Sequence, residues 1–382
     1  MRILHTSDWH LGRSFHGLSL HDITEDLLAE LIETVKEEEI DVLLVSGDVY
    51  DQAQPRTETV SLLSKTLEEL GELGVRVVLS SGNHDSAIRL GFAAQLLARS
   101  GVYLATSPQN FTEPVLLEKD GVRVSVYALP YLEPRARAAE FGVAASHAAV
   151  LGYATEQVRA DLHKRTVDAS IVMAHCFVSG AANSDSERDI NVGGIETVGA
   201  EVFEGFDYAA LGHLHGRQKV TETVRYSGSL LAYSFSEENH RKGGWILEVD
   251  SSGVRSVTEH SWKTGLHLKT LRGKLSDLVT EPAYERFRDS ICRIYLTDPV
   301  RPLGALEKLR ERFSTVAELY FEPERSERAE NKNYSERLKE AKSPLEVSRD
   351  FYEHVRGAAL TEKESDFIEG VVDRARADEV SA

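Results

Sequence analysis

The sequence predicts an α/β chain of more than one domain, and three observations carry that expectation. Strand-like runs alternate with helical patterns through the first two-thirds of the chain, the order expected of sheets layered against helices. Residues 41–51, DVLLVSGDVYD, read as a continuous apolar strand that stops at Ser46-Gly47 and sets Asp48 at its tip. A buried parallel strand ending this way places its last polar residue at the mouth of a sheet, where ligands bind. With 382 residues, 41% of them hydrophobic, the chain is too long for one ordinary core.

Taken in order, residues 1–6 form the first strand and Ser7 to Gly12 the loop at its end. Asp8 and His10 lie two apart, so in an extended segment their side chains fall on one side and could chelate one metal ion. A D-x-H pair alone is common by chance. Residues 22–39 form an acidic amphipathic helix with Leu27, Leu28, Leu31, Ile32 and Val35 along one stripe. It leads into the strand that ends at Asp48, a residue that by itself could equally cap the next element. Residues 57–70 form a second helix, striped by Val60, Leu63, Leu67 and Leu70. The strand at 75–79 ends in Ser81-Gly82-Asn83-His84-Asp85, repeating the apolar-strand, glycine, polar-tip pattern, and a helix follows at 88–98.

The runs 115–117 and 122–129 form a hairpin around Asp120-Gly121. Residues 133–152 are Ala-rich with weak periodicity that supports no assignment, and 155–163 are helical. A strand at 170–174 ends in His175; a lone histidine after a strand is more often structural than a ligand. Cys176 beside it reads as a small buried residue. Residues 180–189 are small and polar, the composition of a mobile loop. The strand at 206–211 ends in Gly212-His213-Leu214-His215-Gly216, where two histidines again share one side and the glycines permit close backbone approach. Residues 226–229 and 244–249 continue with β character.

Composition shifts near Lys269. Strands at 292–296 and 316–321 with a helix at 303–312 between them make a small α/β unit. Residues 324–342 are charged and poor in apolar side chains, as a linker or exposed helix would be. Amphipathic helical patterning resumes over 344–375, with Val347, Phe351, Tyr352, Val355, Phe367, Ile368, Val371 and Val372 on its apolar faces.

The formal net charge of −18 and pI of about 5.3 disfavour non-specific nucleic-acid binding by the whole surface, while leaving room for a local basic groove. Two cysteines far apart imply no disulfide framework. The chain opens directly into a strand without a charged-then-apolar leader, and no apolar run approaches the roughly 20 residues that span a bilayer. A cytoplasmic protein without membrane association is expected.

Together the strand ends deliver Asp8, His10, Asp48, Asn83, His84, His175, His213 and His215. Carboxylate and amide oxygens mixed with imidazole suit a near-octahedral divalent ion such as Mn²⁺, and the donors are about enough for two ions sharing a carboxylate. Each motif alone loses to its structural reading; the ordered set does not.

The set D-W-H, G-D-V-Y-D, G-N-H-D, His175 and G-H-L-H resembles the calcineurin-like dinuclear metallophosphoesterases. More narrowly, MRILHTSDWHLG, SGDVYD, SGNHDS, FDYAALGHLHGRQ and YSGSLLAYSFSE are similar to the family of bacterial SbcD nucleases, counterparts of the meiotic-recombination nuclease. The resemblance is strong over roughly residues 1–260 and extends beyond only in architecture.

It implies a four-layer metallophosphoesterase β-sandwich flanked by helices at 1–270, a DNA-capping α/β domain at 271–325, and a linker with C-terminal helices at 326–382. It implies two divalent metal ions, Mn²⁺ with Mg²⁺ as the alternative. One is held by Asp8, His10, Asp48 and His215, and the other by Asp48, Asn83, His175 and His213. His84 matches the family's catalytic histidine, and Asp85 would orient it. The implied activity is exonuclease on double-stranded ends and endonuclease on single strands and hairpins, in DNA repair, recombination and replication. The implied partners are DNA, an SbcC-type coiled-coil ATPase bound by the C-terminal helices, and a second copy of the chain in a homodimer.

Arg13, Arg56 and Arg89 each follow one of the first three motif loops and are expected to contact the DNA backbone. Leu63, Leu67, Phe92 and Leu96 are the expected dimer contacts. Two competing readings are a different dinuclear phosphatase or phosphodiesterase, which the capping segment argues against, and a non-catalytic scaffold, which would lack ligands.

Overall fold

A computed structural model describes residues 1–187, 197–323, 343–356 and 359–380. The chain divides into two compact units, Met1–Leu266 and His267–Ala382.

The first unit contains two six-stranded sheets. In one, the order is Gly253–Ser261, Gly243–Asp250, Arg2–Thr6, Val42–Ser46, Arg76–Ser80 and Val102–Ala105. The last four strands run parallel, and Arg2–Thr6 pairs antiparallel with Gly243–Asp250. In the other, the order is Gln218–Lys219, Val224–Tyr226, Tyr208–Gly212, Ala169–His175, Val122–Ala128 and Val115–Lys119, again parallel at its centre. The sheets face one another across an apolar layer that includes Ile3, Leu44 and Val78 from the first and Val126, Ile171 and Tyr208 from the second. Helices His21–Glu37 and Thr57–Glu72 cover the first sheet with buried Leu27, Leu28, Leu31, Leu62, Leu63 and Leu70. Helix His147–Leu162 covers the second through Val150, Leu151, Ala154 and Val158. The expected four layers are therefore present. The parallel strands carry apolar side chains on both faces because both faces are covered.

Several elements differ from the sequence expectation. The helix expected over 88–98 is two short pieces, Ala87–Leu90 and Ala94–Ala98. Gly91 packs so tightly on Thr106 that a Cβ would collide with its hydroxyl, and Ala93 is left-handed at φ 58°, so the chain turns there. The Ala-rich stretch resolves into Pro134–Phe141 and the start of His147–Leu162, whose entry is capped by Ser146 Oγ accepting from Ala149 N–H. The hairpin turn at Asp120-Gly121 has φ of 52° and 81°, as a tight two-residue turn requires.

The second unit begins with a three-stranded parallel sheet, Leu268–Gly273, Ile291–Leu296 and Thr315–Phe321, covered on one side by Leu275–Thr280 and Ala305–Arg312. A boundary after residue 270 would cut the first of these strands. The units part between Leu266 and His267 instead, because Leu268 already pairs with Ile291. Helices Pro344–Arg356 and Glu362–Val380 also belong to this unit. The charged stretch 324–342 lies outside the described residues, as do 188 and 189 of the expected loop. No helix among the described residues is long and apolar enough to cross a membrane.

Candidate metal centre

Strands of both sheets end at one edge, and their tips bring the predicted side chains together. Three clusters of donors lie within reach of a single ion: Asp8, His10 and His215; His10, Asp48 and His84; Asp8, Asp48 and His175. His175 Nε2 also faces Asn83 Oδ1 at 2.9 Å, and the His213 ring stands 5.3 Å from that of His175. Close approach of the strand ends depends on glycine. A Cβ on Gly212 would collide with the carbonyl oxygen of Ser46, and one on Gly82 with the carboxylate and amide of Asp48.

The loop backbone is strained where the candidate donors sit. Asp8, His10, Asp48 and His213 all have positive φ, at 52°, 44°, 49° and 101°. Non-glycine residues in such conformations cost on the order of 1–3 kcal/mol each and persist where surrounding contacts over-determine them. Here Asp8 N–H donates to Gly47 O, His10 N–H to Asp48 O, and His213 N–H to the Asp8 carboxylate. The extended geometry expected for D-x-H is thus replaced by a turn, which still aims both side chains at one space.

Buried acids and imidazoles face each other here in a way that fits cations. His10 Nε2 and His215 Nε2 are 3.1 Å apart, while their Nδ1 atoms are directed to Asp51 Oδ1 at 3.5 Å and Ser186 Oγ at 2.5 Å. Two imidazole nitrogens that close need a proton or a positive ion between or beside them. Asp48 Oδ2 is 3.7 Å from His10 Nε2, 3.3 Å from His175 Nε2 and 3.9 Å from His84 Nε2. By the protein's own charges, burial and then the repulsion of Asp48 raise the Asp8 carboxyl to about 7, against the pull of His175. Burial also disfavours charge on Asp48, but His175, His10 and His84 outweigh it and hold that group well below the carboxylate range. Burial lowers His10 to about 3 and His215 to about 4, so both stay neutral and able to donate a lone pair. His175 Nδ1 meets the Ser46 carbonyl at 3.0 Å, so Nδ1–H is committed to the backbone and Nε2 is the nitrogen turned into the site.

Asp85 does not have its expected partner. Its carboxylate accepts from the backbone N–H groups of Val49, Tyr50 and Gly82, tying the second and third loops together. His84 is oriented instead by the Asp51 carbonyl, 2.8 Å from its Nδ1. The three arginines separate. Arg13 is mostly buried, with Nη2 donating to Ser186 O at 3.0 Å, Nη1 3.5 Å from Asp51, and its guanidinium over the Tyr233 ring. Arg56 is exposed, and Arg89 holds the Ala53 carbonyl at 3.2 Å. Arg13 and Arg56 line a cleft of about 260 Å³ together with Asp51, Gln52 and Gln54.

Sequence reasoning missed Asp51, Ser186, Glu187, Tyr233, Glu237 and Lys242, which stand around the candidate donors. Tyr233 packs edge-on to both His10 and His215 and donates to the Trp9 carbonyl. The segment 184–187, expected to be mobile, is docked through Ser184, Ser186 and Glu187. The one available signal was that Tyr233 and Glu237 fall in the YSGSLLAYSFSE run.

The calcineurin-like phosphoesterase family matches residues 1–217. The chain is 28% identical over 372 residues to the SbcD subunit of the SbcCD nuclease of Staphylococcus epidermidis, covering 96% of this chain and 97% of that one. Among solved structures it is similar to the calcineurin-like phosphoesterase YfkN from Bacillus subtilis (15% identity, 68% of this chain and 90% of that one, TM-score 0.37). It is also similar to a dimetal phosphatase from Danio rerio (13% identity, 69% and 99%, TM-score 0.39), and likenesses at these levels add nothing to the assignment. Since the family match spans more than half of the sequence and takes in every converging donor from Asp8 to His215, the chain belongs to the calcineurin-like phosphoesterase family.

Proposed function

We propose that this protein is the nuclease component of an SbcCD-type complex, hydrolysing phosphodiesters of DNA in double-strand-break repair and recombination. The observation that carries this reading is the reach of the similarity to the SbcD protein of Staphylococcus epidermidis, which continues through 96% of the chain, well past the residues common to phosphoesterases at large. Exonuclease action on double-stranded ends and endonuclease action on single strands and hairpins, in the cytoplasm, belong to the same proposal.

Two ions, Mn²⁺ by the donor set, would be held by Asp8, His10, Asp48 and His215 and by Asp48, Asn83, His175 and His213. When bound, such ions supply positive charge to phosphate oxygens and acidify water. Water adds to phosphorus and the bond to a 3′ or 5′ sugar oxygen breaks. His84 is partly open to solvent, and its Nδ1–H is engaged by the Asp51 carbonyl, so Nε2 is the nitrogen available to the substrate. In its protonated form it gives the Nε2 proton to the leaving oxygen. Tight backbone bonding of Asp85 supports a role in holding the loops that carry Asp48 and Gly82, one step removed from the chemistry.

The α/β domain expected at 271–325, which the strand Leu268–Gly273 opens, is proposed to contact duplex DNA, and the helices after Pro344 to bind an SbcC-type ATPase. Exposure of Phe351, Tyr352, Phe367 and Val371 supports the second assignment. Exposure of Ile88, Phe92 and Leu96 supports a homodimer contact there, whereas Leu63 is buried within the monomer. The test is hydrolysis of hairpin, blunt and single-stranded DNA with and without Mn²⁺, beside bis-p-nitrophenyl phosphate. Cleavage of the small ester without cleavage of any DNA would replace this reading by that of a small-molecule phosphodiesterase.

A further inference from the structure

His215 is gripped at its ring, its amide and its carbonyl by side chains that are not themselves in the donor clusters. Ser186 Oγ lies 2.5 Å from its Nδ1, Glu187 Oε1 accepts from its backbone N–H at 2.7 Å, and Lys242 Nζ donates to its carbonyl at 2.8 Å. Tyr233 packs on the ring. Behind this grip stands Glu237, fully buried. Its Oε2 pairs with Lys242 Nζ at 2.5 Å, and its Oε1 takes a short hydrogen bond from Ser186 Oγ and others, at 3.1 Å, from Ser184 Oγ and Ser234 Oγ.

The direct separation of Glu237 Oε1 from His215 Nδ1 is 3.7 Å, too long for a hydrogen bond, so the serine hydroxyl bridges the two. The bonding has one consistent direction. A carboxylate cannot donate, so Ser186 gives its single proton to Glu237, and its oxygen is then free only to accept from His215 Nδ1–H. That leaves the lone pair on Nε2, the atom that faces His10 Nε2. Lys242 in turn satisfies the charge of Glu237 and reaches Ser229 Oγ at 2.9 Å, so both members of the buried pair keep polar partners.

We infer that Glu237 and Ser186 are positioning residues which select the metal-binding tautomer of His215, and that the segment 184–187 must be docked for that half of the centre to bind its ion. Buried carboxylates acting on a ligand histidine typically alter metal affinity about 10- to 100-fold when removed. The inference rests on the two-ion reading above.

The experiment is calorimetric titration of the full-length, metal-stripped protein with Mn²⁺, for wild type and for Ser186→Ala, Ser186→Thr and Glu237→Gln. It is paired with ¹⁵N-histidine spectra of the metal-free proteins to report the His215 tautomer. Wild type taking two ions supports the two-ion reading, and a different stoichiometry overturns that reading before any variant is compared. Ser186→Ala should weaken one of the two sites about 10- to 100-fold and spare the other, with His215 losing its single Nδ1–H signature. Ser186→Thr, which keeps the hydroxyl, should restore both. Glu237→Gln should behave as Ser186→Ala; should it fail to fold, because Lys242 is left buried without its partner, the serine pair decides alone. Ser186→Ala binding both ions with wild-type affinity, or keeping the Nδ1–H tautomer unchanged, overturns the inference.

Discussion

Asp48 and His175 meet at 3.3 Å, Oδ2 to Nε2, although they leave strands of different sheets. Each changes the other: burial alone would neutralise both, yet Asp48 holds His175 up to about 9, and the charged ring helps hold Asp48 down. The same Oδ2 faces His10 and His84, which makes this one carboxylate the common neighbour of both halves of the proposed centre.

Asp48→Asn is therefore expected to lose both ions, whereas His84→Gln keeps them and loses about 10²- to 10⁴-fold in turnover. Metal content of the purified proteins, measured beside phosphodiester hydrolysis, separates the two. An empty His84→Gln protein would mean that His84 is itself a ligand.

Glycine positions should divide by what surrounds them. Gly82→Ala drives a methyl into Asp48, so the variant should bind metal poorly and unfold at lower temperature. Gly71, near the end of Thr57–Glu72, has open space around it, and Gly71→Ala should stabilise by about 0.5–1 kcal/mol. Thermal unfolding of both in chelator checks the contrast; equal behaviour would contradict it.

Acid sensitivity has an identifiable component at His5. The ring is fully buried between the sheets, with Nδ1 3.0 Å from the Tyr208 hydroxyl, and burial lowers it to about 3. The unfolded chain takes up the proton near 6.5 and the folded one does not, so this stability is complete above 6.5 and is lost as pH falls toward 3. Between pH 7.5 and 5.0 the loss from this group is about 2 kcal/mol. Urea unfolding at the two pH values should show a smaller drop for His5→Gln than for wild type, the remaining drop belonging to the other buried histidines.

For the proposed dimer, Phe92→Glu with Leu96→Glu should give a folded monomer, because both side chains are exposed in the single chain. Leu63→Glu should unfold the protein, since it buries a charge in the core. Sedimentation together with circular dichroism reads both outcomes; a dimer that survives the double change places the contact elsewhere.

DNA binding should discriminate among the arginines. Arg56 is exposed and able to meet phosphate, so Arg56→Gln should reduce the slope of log affinity against log salt by about 0.9. Arg13 is tied to Asp51, Ser186 and Tyr233, and Arg13→Gln should leave the slope unchanged while loosening the centre. An unchanged slope for Arg56→Gln would move the phosphate contact to the second unit.

What the sequence determined by itself was the local part of the design. Apolar runs that stop at glycine and a polar cluster declare strand ends, and the residue types at 8, 10, 48, 83, 175, 213 and 215 are those of metal donors, because both signals are carried within a few consecutive residues. Helix limits were legible to within a few residues where the apolar stripe was strong, and failed between Gly91 and Ala93, where the left-handed backbone of Ala93 turns the chain. Only the tertiary structure could give Asp51 to His84, leave Asp85 to the backbone, bury Arg13, and dock Ser186 and Glu237 on His215. Serine, glutamate and arginine are ordinary surface residues in any short window. Their roles come from partners tens to hundreds of residues away, which no local pattern encodes, and from a burial that turns a weak polar contact into a fixed one.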